Sequence, residues 1–174
     1  NGVVNPTINN MALVDYCLYG VNFGGSLSTS VYINKSTIQR STYLAGTVGV
    51  RTGTTSGVDG LLIDTCTITG NTWGMFIGQN ATPSAFTNIY ILNSTISNNL
   101  QKGMYFEKLN NATLSNLTMM NNGTDPTYGF NNGIDINLKY SIYSNITIED
   151  CDITNSGYVG GIPPIDPQNA AAIA

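Results

Sequence analysis

At 174 residues the chain is long enough for one domain with a real apolar core. Charged residues make up only 9%, far below the roughly 25% of an average soluble domain. The net charge of -4 comes with no basic stripe, so neither nucleic acid nor an anionic membrane is an expected partner. Histidine is absent, which removes the commonest general base and metal ligand. No apolar run approaches the roughly 18 residues of a bilayer span, so membrane insertion is not expected.

The polarity comes from Asn, Thr, Ser, Gly and Tyr, which suit strands, turns and side-chain ladders more than helices. The chain opens on Asn1 and not on Met, as a processed or trimmed form would. Val3 to Asn10 suits a short strand. Met11 to Leu18 reads as a weak first copy of a repeat, and five stronger copies follow. They are Val31–Ile38, Leu61–Ile68, Ile89–Ile96, Ala112–Met119 and Ile146–Ile153. Each runs apolar, any, apolar, any, polar, small or apolar, polar, apolar.

Such a copy is two short strands meeting at a bend. Alternation sends Ile33, Ile63, Ile91, Leu114 and Ile148 inward as one column. Lys35, Thr65, Asn93, Asn116 and Asp150 take the bend. Ser36, Cys66, Ser94, Leu117 and Cys151 then point inward, followed by Ile38, Ile68, Ile96, Met119 and Ile153. A second bend falls at Gly70-Asn71, Asn98-Asn99, Asn121-Asn122 and Asn155-Ser156, where Asn tolerates left-handed backbone and can stack as a hydrogen-bonded ladder. A third strand resumes after Gly49, Gly74, Gly103 and Gly133. Copies start about 20 to 35 residues apart, within the range of solenoid repeats. Like strands lie a whole repeat apart and so pair in parallel. The expected fold is all-β: a right-handed parallel β-helix of about six rungs in one domain over 1–174. Its rungs cover about 11–156, and 1–10 and 157–174 are capping or assembly segments.

The pattern I-x-I-x-[ND]-[CS]-x-I-x-x-N, as in Ile89 to Asn99 and Ile146 to Ser156, resembles the parallel β-helix repeat of NosD-like and pectin-lyase-like proteins. That resemblance covers about Met11 to Ser156 and implies the fold. The superfamily includes lyases, hydrolases, epimerases, tailspikes and adhesins, so it implies no single function. The clustered aspartates with histidine and a basic residue of its hydrolases are missing. So is the calcium-and-arginine arrangement of its lyases, since two rungs separate Arg51 from Asp135. No catalytic residue, metal or cofactor is expected.

The outward third-strand column Arg51, Phe76, Tyr105 and Asp135 is the candidate ligand-binding surface. Phe76 and Tyr105 stack there as an exposed aromatic strip, and Trp73 sits beside it at the second bend. Such a strip suits sugar rings, or packing under a loop or against a neighbouring subunit. Glu149, Asp150 and Asp152 cluster within one rung, as a cation site or a solvated edge. Cys66 and Cys151 point inward but lie three rungs apart, about 14 Å, too far for a disulfide. Cys17 takes an outward position, so no disulfide is expected. Asn-x-Ser/Thr sequons occur at Asn34, Asn80, Asn93, Asn111, Asn116, Asn122 and Asn145. Asn80 and Asn122 sit in loops and are the leading glycosylation candidates, followed by Asn34, Asn111 and Asn145.

No amphipathic helix is expected at the N-terminus, and the C-terminal stretch, rich in Pro and Ala, suits a cap over the last rung or a strand added to a neighbouring molecule. These features favour an extracellular or cell-surface structural protein that self-associates through its termini, as in a filament. The alternatives are a carbohydrate-binding or carbohydrate-processing β-helix and a tailspike-like adhesin.

Overall fold

The computed structural model describes residues 2–157 and 171–174. Rung one is β1 (Thr7–Asn9), β2 (Ala12–Val14) and β3 (Tyr19–Phe23); rung two is β4 (Leu27–Asn34), β5 (Thr37–Gln39) and β6 (Val48–Thr52). Rung three is β7 (Gly57–Asp64), β8 (Thr67–Thr69) and β9 (Trp73–Ile77); rung four is β10 (Phe86–Leu92), β11 (Thr95–Ser97) and β12 (Lys102–Phe106). Rung five is β13 (Asn110–Ser115), β14 (Thr118–Met120) and β15 (Asn132–Ile136); rung six is β16 (Ile146–Glu149), β17 (Asp152–Thr154) and β18 (Ala171–Ile173). Every third strand pairs in parallel, giving three six-stranded sheets. The fold is a parallel β-helix. Among the described residues there is no helix, and therefore none able to cross a membrane.

The bends recur every five residues. Left-handed backbone occurs at Asn5, Asn10 and Asp15 in rung one, at Asn88, Asn93 and Asn98 in rung four, and at Asn111, Asn116 and Asn121 in rung five. A strand alternates with period two, and each left-handed residue adds one to the count while turning the chain. Inward positions therefore step by two, then three. In rung three these are Val58, Leu61, Ile63, Cys66 and Ile68, each at most 2% exposed. The sequence reading found two of these bends per rung. It missed the earlier one, at Ser30, Gly60, Asn88, Asn111 and Asn145, which bends the first sheet within its strands.

The first rung begins earlier than expected. Ile8 pairs with Ile33 and Leu13 with Ile38, so Thr7–Asn9 is the first strand of the rung and not part of a separate end segment. The copy placed at Met11–Leu18 was five residues late, one bend interval. Apolar residues spaced two or three apart leave that slip invisible. At the far end β18 pairs with β15. The proline-rich stretch expected to cap the last rung or reach a neighbour falls on 158–170, outside the described residues.

The second bend carries the expected ladder. Asn71 Nδ2 donates to Asn99 Oδ1 at 3.2 Å, and Asn99 Nδ2 to Asn122 Oδ1 at 2.9 Å; all three residues are fully buried. The same amides also donate inward to strand carbonyls, Asn99 to Ile68 and Asn122 to Ile96. Asn122 is therefore not a loop glycosylation acceptor. Its amide closes the core, and a glycan cannot reach it. Glycine takes the second position of the third strand in rungs two to five because the rungs touch there: a Cβ on Gly74 would lie 2.4 Å from the Gly103 carbonyl oxygen.

At the inward position after the first bend, Ser94 Oγ donates to Leu92 O at 2.6 Å and accepts from Cys66 N at 3.0 Å. The Cys66 thiol donates likewise to Asp64 O at 3.2 Å. Burial pushes that thiol above its ordinary pKa, so it behaves as a small core group and not as a thiolate. All three cysteines are free.

Asn99→Ala leaves the buried Asn71 backbone N–H without its acceptor and cuts the side-chain ladder, while Asn122 Oδ1 keeps the backbone N–H of residue 99; it should cost about 2 kcal/mol. Thr52 has the opposite sign. It is fully buried, and its hydroxyl oxygen has no partner among the described residues. Thr52→Val should stabilise by about 1 kcal/mol. Urea denaturation of the two variants checks both directions.

Candidate functional site

The third sheet carries its outward residues in register: Arg51 opposite Phe76, Phe76 opposite Tyr105, and Tyr105 opposite Asp135. The expected column therefore exists. Trp73 is not in the bend, however. It opens β9, paired between Val48 and Lys102. Its ring centroid lies 4.4 Å from Phe76 and 5.6 Å from Tyr105, and Phe76 lies 5.3 Å from Tyr105. The three rings form one cluster, at distances typical of stacked and tilted aromatic pairs.

The strip is not evenly exposed. Tyr105 is 8% exposed, while Phe76 and Trp73 are half-buried. The segment 121–131 brings Tyr128 and Phe130 against the Tyr105 end, where they line a cleft of about 360 Å3 with Phe76 and Trp73. Phe76 and Trp73 also line a second cleft of about 350 Å3, with Tyr19, Tyr43 and Arg51. The two clefts share their central rings and form one groove across rungs one to five. At about 4.8 Å per rung, it is about 19 Å long.

The groove is polar at its edges. Trp73 Nε1 donates to Gln101 Oε1 at 2.7 Å, and Gln101 Nε2 donates to Asp125 Oδ2 at 3.1 Å. Lys102, 3% exposed, pairs with Asp135 and donates to the Phe130 carbonyl at 2.7 Å, tying the covering segment down. Burial lowers the Lys102 pKa, and the Asp135 carboxylate only partly offsets this. Lys139 pairs with Glu107, whose other oxygen accepts from Gln79 N at 2.7 Å. Burial alone would raise the Glu107 pKa. The Lys139 ammonium, the Gln79 N–H and the Tyr105 hydroxyl outweigh it and hold the carboxyl below its ordinary range. Tyr105 OH donates to Glu107 at 2.8 Å; burial first, then that carboxylate, push the phenol well above its ordinary pKa. Arg51 lies over the Tyr19 ring at 4.5 Å, and among the described residues it has no carboxylate partner.

Of the residues expected from sequence, Arg51, Trp73, Phe76, Tyr105 and Asp135 therefore share this face. Lys102, Glu107, Lys139, Gln101 and Tyr128 were missed. One signal was available: the residue before each third-strand glycine faces the groove, as Trp73 and Lys102 do. The residues on connecting segments carried no periodic signal.

The other candidates separate. Glu149, Asp150 and Asp152 are exposed, and no group of three or more metal-ligating side chains is gathered among the described residues. Among the sequons, Asn34 ends β4 with its side-chain oxygen buried, and Asn80 Oδ1 accepts from Thr82 N. Asn93, Asn111 and Asn116 are exposed, but their amides donate along outer ladders to Asp64, Asn88 and Asn93. Asn145 is exposed, and its side chain makes no hydrogen bond within the described residues.

No protein-family model, curated protein or solved structure matches the chain.

Glu107→Gln should destabilise the protein at neutral pH by leaving Lys139 without its counter-charge. Because the folded pKa lies below the ordinary 4.5, this contribution is complete above that pH and fades as pH falls through the folded value. The stability gap between wild type and variant, from urea denaturation, should therefore hold above pH 4.5 and narrow as the pH falls below it. A gap that stays constant would show that the ion pair does not set it.

Proposed function

We propose that the protein binds glycans along the outer face of its third sheet. The observation that carries this reading is the joined Trp73, Phe76 and Tyr105 cluster in an open groove rimmed by ion-paired lysines and carboxylates. Sugar rings offer apolar C–H faces to aromatic rings and hydroxyls to the polar rim. A groove of about 19 Å suits a chain of several sugar units rather than one. Lys139 beside Glu107 favours the ionised carboxylate, which accepts hydroxyl hydrogens. That supports binding over general-acid catalysis. Membership of the NosD-like and pectin-lyase-like superfamily, and an extracellular or cell-surface setting, belong to the same proposal.

A second reading, a self-associating surface or filament subunit, is favoured by rung one. Its strands β1, β2 and β3 are edge strands, and Met11, Val14 and Leu18 are 50%, 47% and 50% exposed beside them. An open apolar edge of this kind accepts a further strand.

A glycan array decides between them. The wild type should bind a defined set of oligosaccharides, and Trp73→Ala or Phe76→Ala should weaken that binding about tenfold or more without changing the far-ultraviolet spectrum. No binding across the array, together with end-to-end filaments in electron micrographs, would transfer the assignment to assembly.

A further inference from the structure

Lys108 follows β12 and is fully buried, yet it has no carboxylate partner among the described residues. Its Nζ meets three neutral groups: the Ser56 carbonyl at short range, the Gly53 carbonyl at 3.5 Å and Ser84 Oγ at 2.6 Å. Two carbonyls can only accept, while a hydroxyl can also donate. A neutral amine has two N–H groups and one lone pair, which matches that set. An ammonium would place three donors there with no counter-charge, which is costly inside a protein. Burial pulls the Lys108 pKa down to about 8, and the adjacent Glu107 carboxylate only partly opposes this, so the amine becomes the major form only above that pH. Glu107 is the charged neighbour, itself paired with Lys139; the covering segments 53–56 and 79–85 contain no ionisable side chain.

Ser84 faces the other way as well. It is half-buried and lines a separate cleft of about 290 Å3 with Ala85, Phe86, Ile142 and Tyr143. Ile142 is 96% exposed, and the wall is largely apolar. Gln79 Oε1 accepts from Ser84 N at 3.3 Å and from Ser84 Oγ at 3.2 Å, and the Ser56 carbonyl also accepts from Ser84 Oγ at 3.1 Å; the hydroxyl turns from these acceptors to Lys108 when the amine is neutral. The N–H of Ala85, next in the chain, makes no hydrogen bond among the described residues. A serine reachable from solvent, a desolvated amine behind it and a free amide beside it are the parts of a nucleophilic site.

We infer that Ser84 and Lys108 form a nucleophile–base pair that takes a short acyl group from an ester. Ser84 Oγ bonds to the ester carbonyl carbon and its proton passes to the Lys108 lone pair. The carbonyl π electrons move onto oxygen, for which the Ala85 N–H is the available donor. Collapse breaks the bond to the alcohol, which leaves with the proton from Lys108. Water then attacks acyl-Ser84, Lys108 accepts its proton and returns it to Ser84 Oγ, and the acid departs. This site is separate from the aromatic groove, so it stands or falls independently of glycan binding.

The test exposes the folded protein to a fluorophosphonate probe and to p-nitrophenyl acetate. Mass spectrometry should find one adduct, on Ser84. Ester turnover should rise as pH approaches the Lys108 value of about 8. Ser84→Ala should abolish the adduct. Lys108→Met should slow turnover on the order of a hundredfold, and a change at the exposed Glu149, Glu149→Gln, should leave it unchanged. Thermal melts establish that each variant is folded. Intact wild type with no adduct at Ser84 at any pH tested would overturn the inference, and so would labelling that survives in folded Lys108→Met. A merely structural pair would give lower melting temperatures in the variants and no adduct in the wild type.

Discussion

The structure depends on one backbone constraint, bends five residues apart that are made by left-handed residues everywhere except at Arg40 in rung two. Asn93 and Asn98 in rung four, and Asn116 and Asn121 in rung five, hold that conformation. Asn is among the few side chains that adopt it routinely, because its amide can bond locally. With the bends fixed, inward positions follow at steps of two and three. The apolar columns stack, and Asn71, Asn99 and Asn122 meet as a buried ladder. The ladder packs against the glycine at the second position of the third strand, as Asn99 does against Gly74. The outward side chains of the third sheet fall into line as a result, so the groove follows from the bends.

The scarce charge is concentrated near that sheet. The chain has six basic residues, and four of them, Arg51, Lys102, Lys108 and Lys139, lie on the third sheet or just after it. Two pair with carboxylates at the groove, one is buried behind Ser84, and one lies over an aromatic ring. Elsewhere the surface is built from Asn, Thr and Ser, with amide ladders in place of ion pairs, such as Asn116 to Asn93 and Asn121 to Asn98. Ladders of neutral groups depend little on pH or salt. The pH dependence of the fold should therefore centre on the shifted groups near the third sheet, Lys102, Glu107, Lys108 and Asp125.

Much of the fold was legible because strand alternation and turn chemistry are local. Ile63, Ile91 and Leu114 announce a core column, and Gly74 and Gly103 announce a close approach. The bend at Asn88 and Asn111 was missed because it lies inside continuous strands, where hydrophobic alternation hides it. Rung one was misplaced because Ile8 and Leu13 each fit the same apolar position. Asn122 resembled a loop sequon because Asn-Gly-Thr is turn chemistry, and only packing shows that its side chain turns inward. Half of the groove was legible, the half on strands. Tyr128, Glu107 and Lys139 come from connecting segments whose position is decided by tertiary contacts.

Trp73 is the only tryptophan in the chain, and it stands at the centre of the groove. Its fluorescence reports on that surface alone. Titrating the protein with an oligosaccharide that it retains should shift and saturate the emission and protect the indole from acrylamide quenching. Saturable binding with unchanged emission and unchanged quenching would place the ligand elsewhere and contradict the assignment of this face.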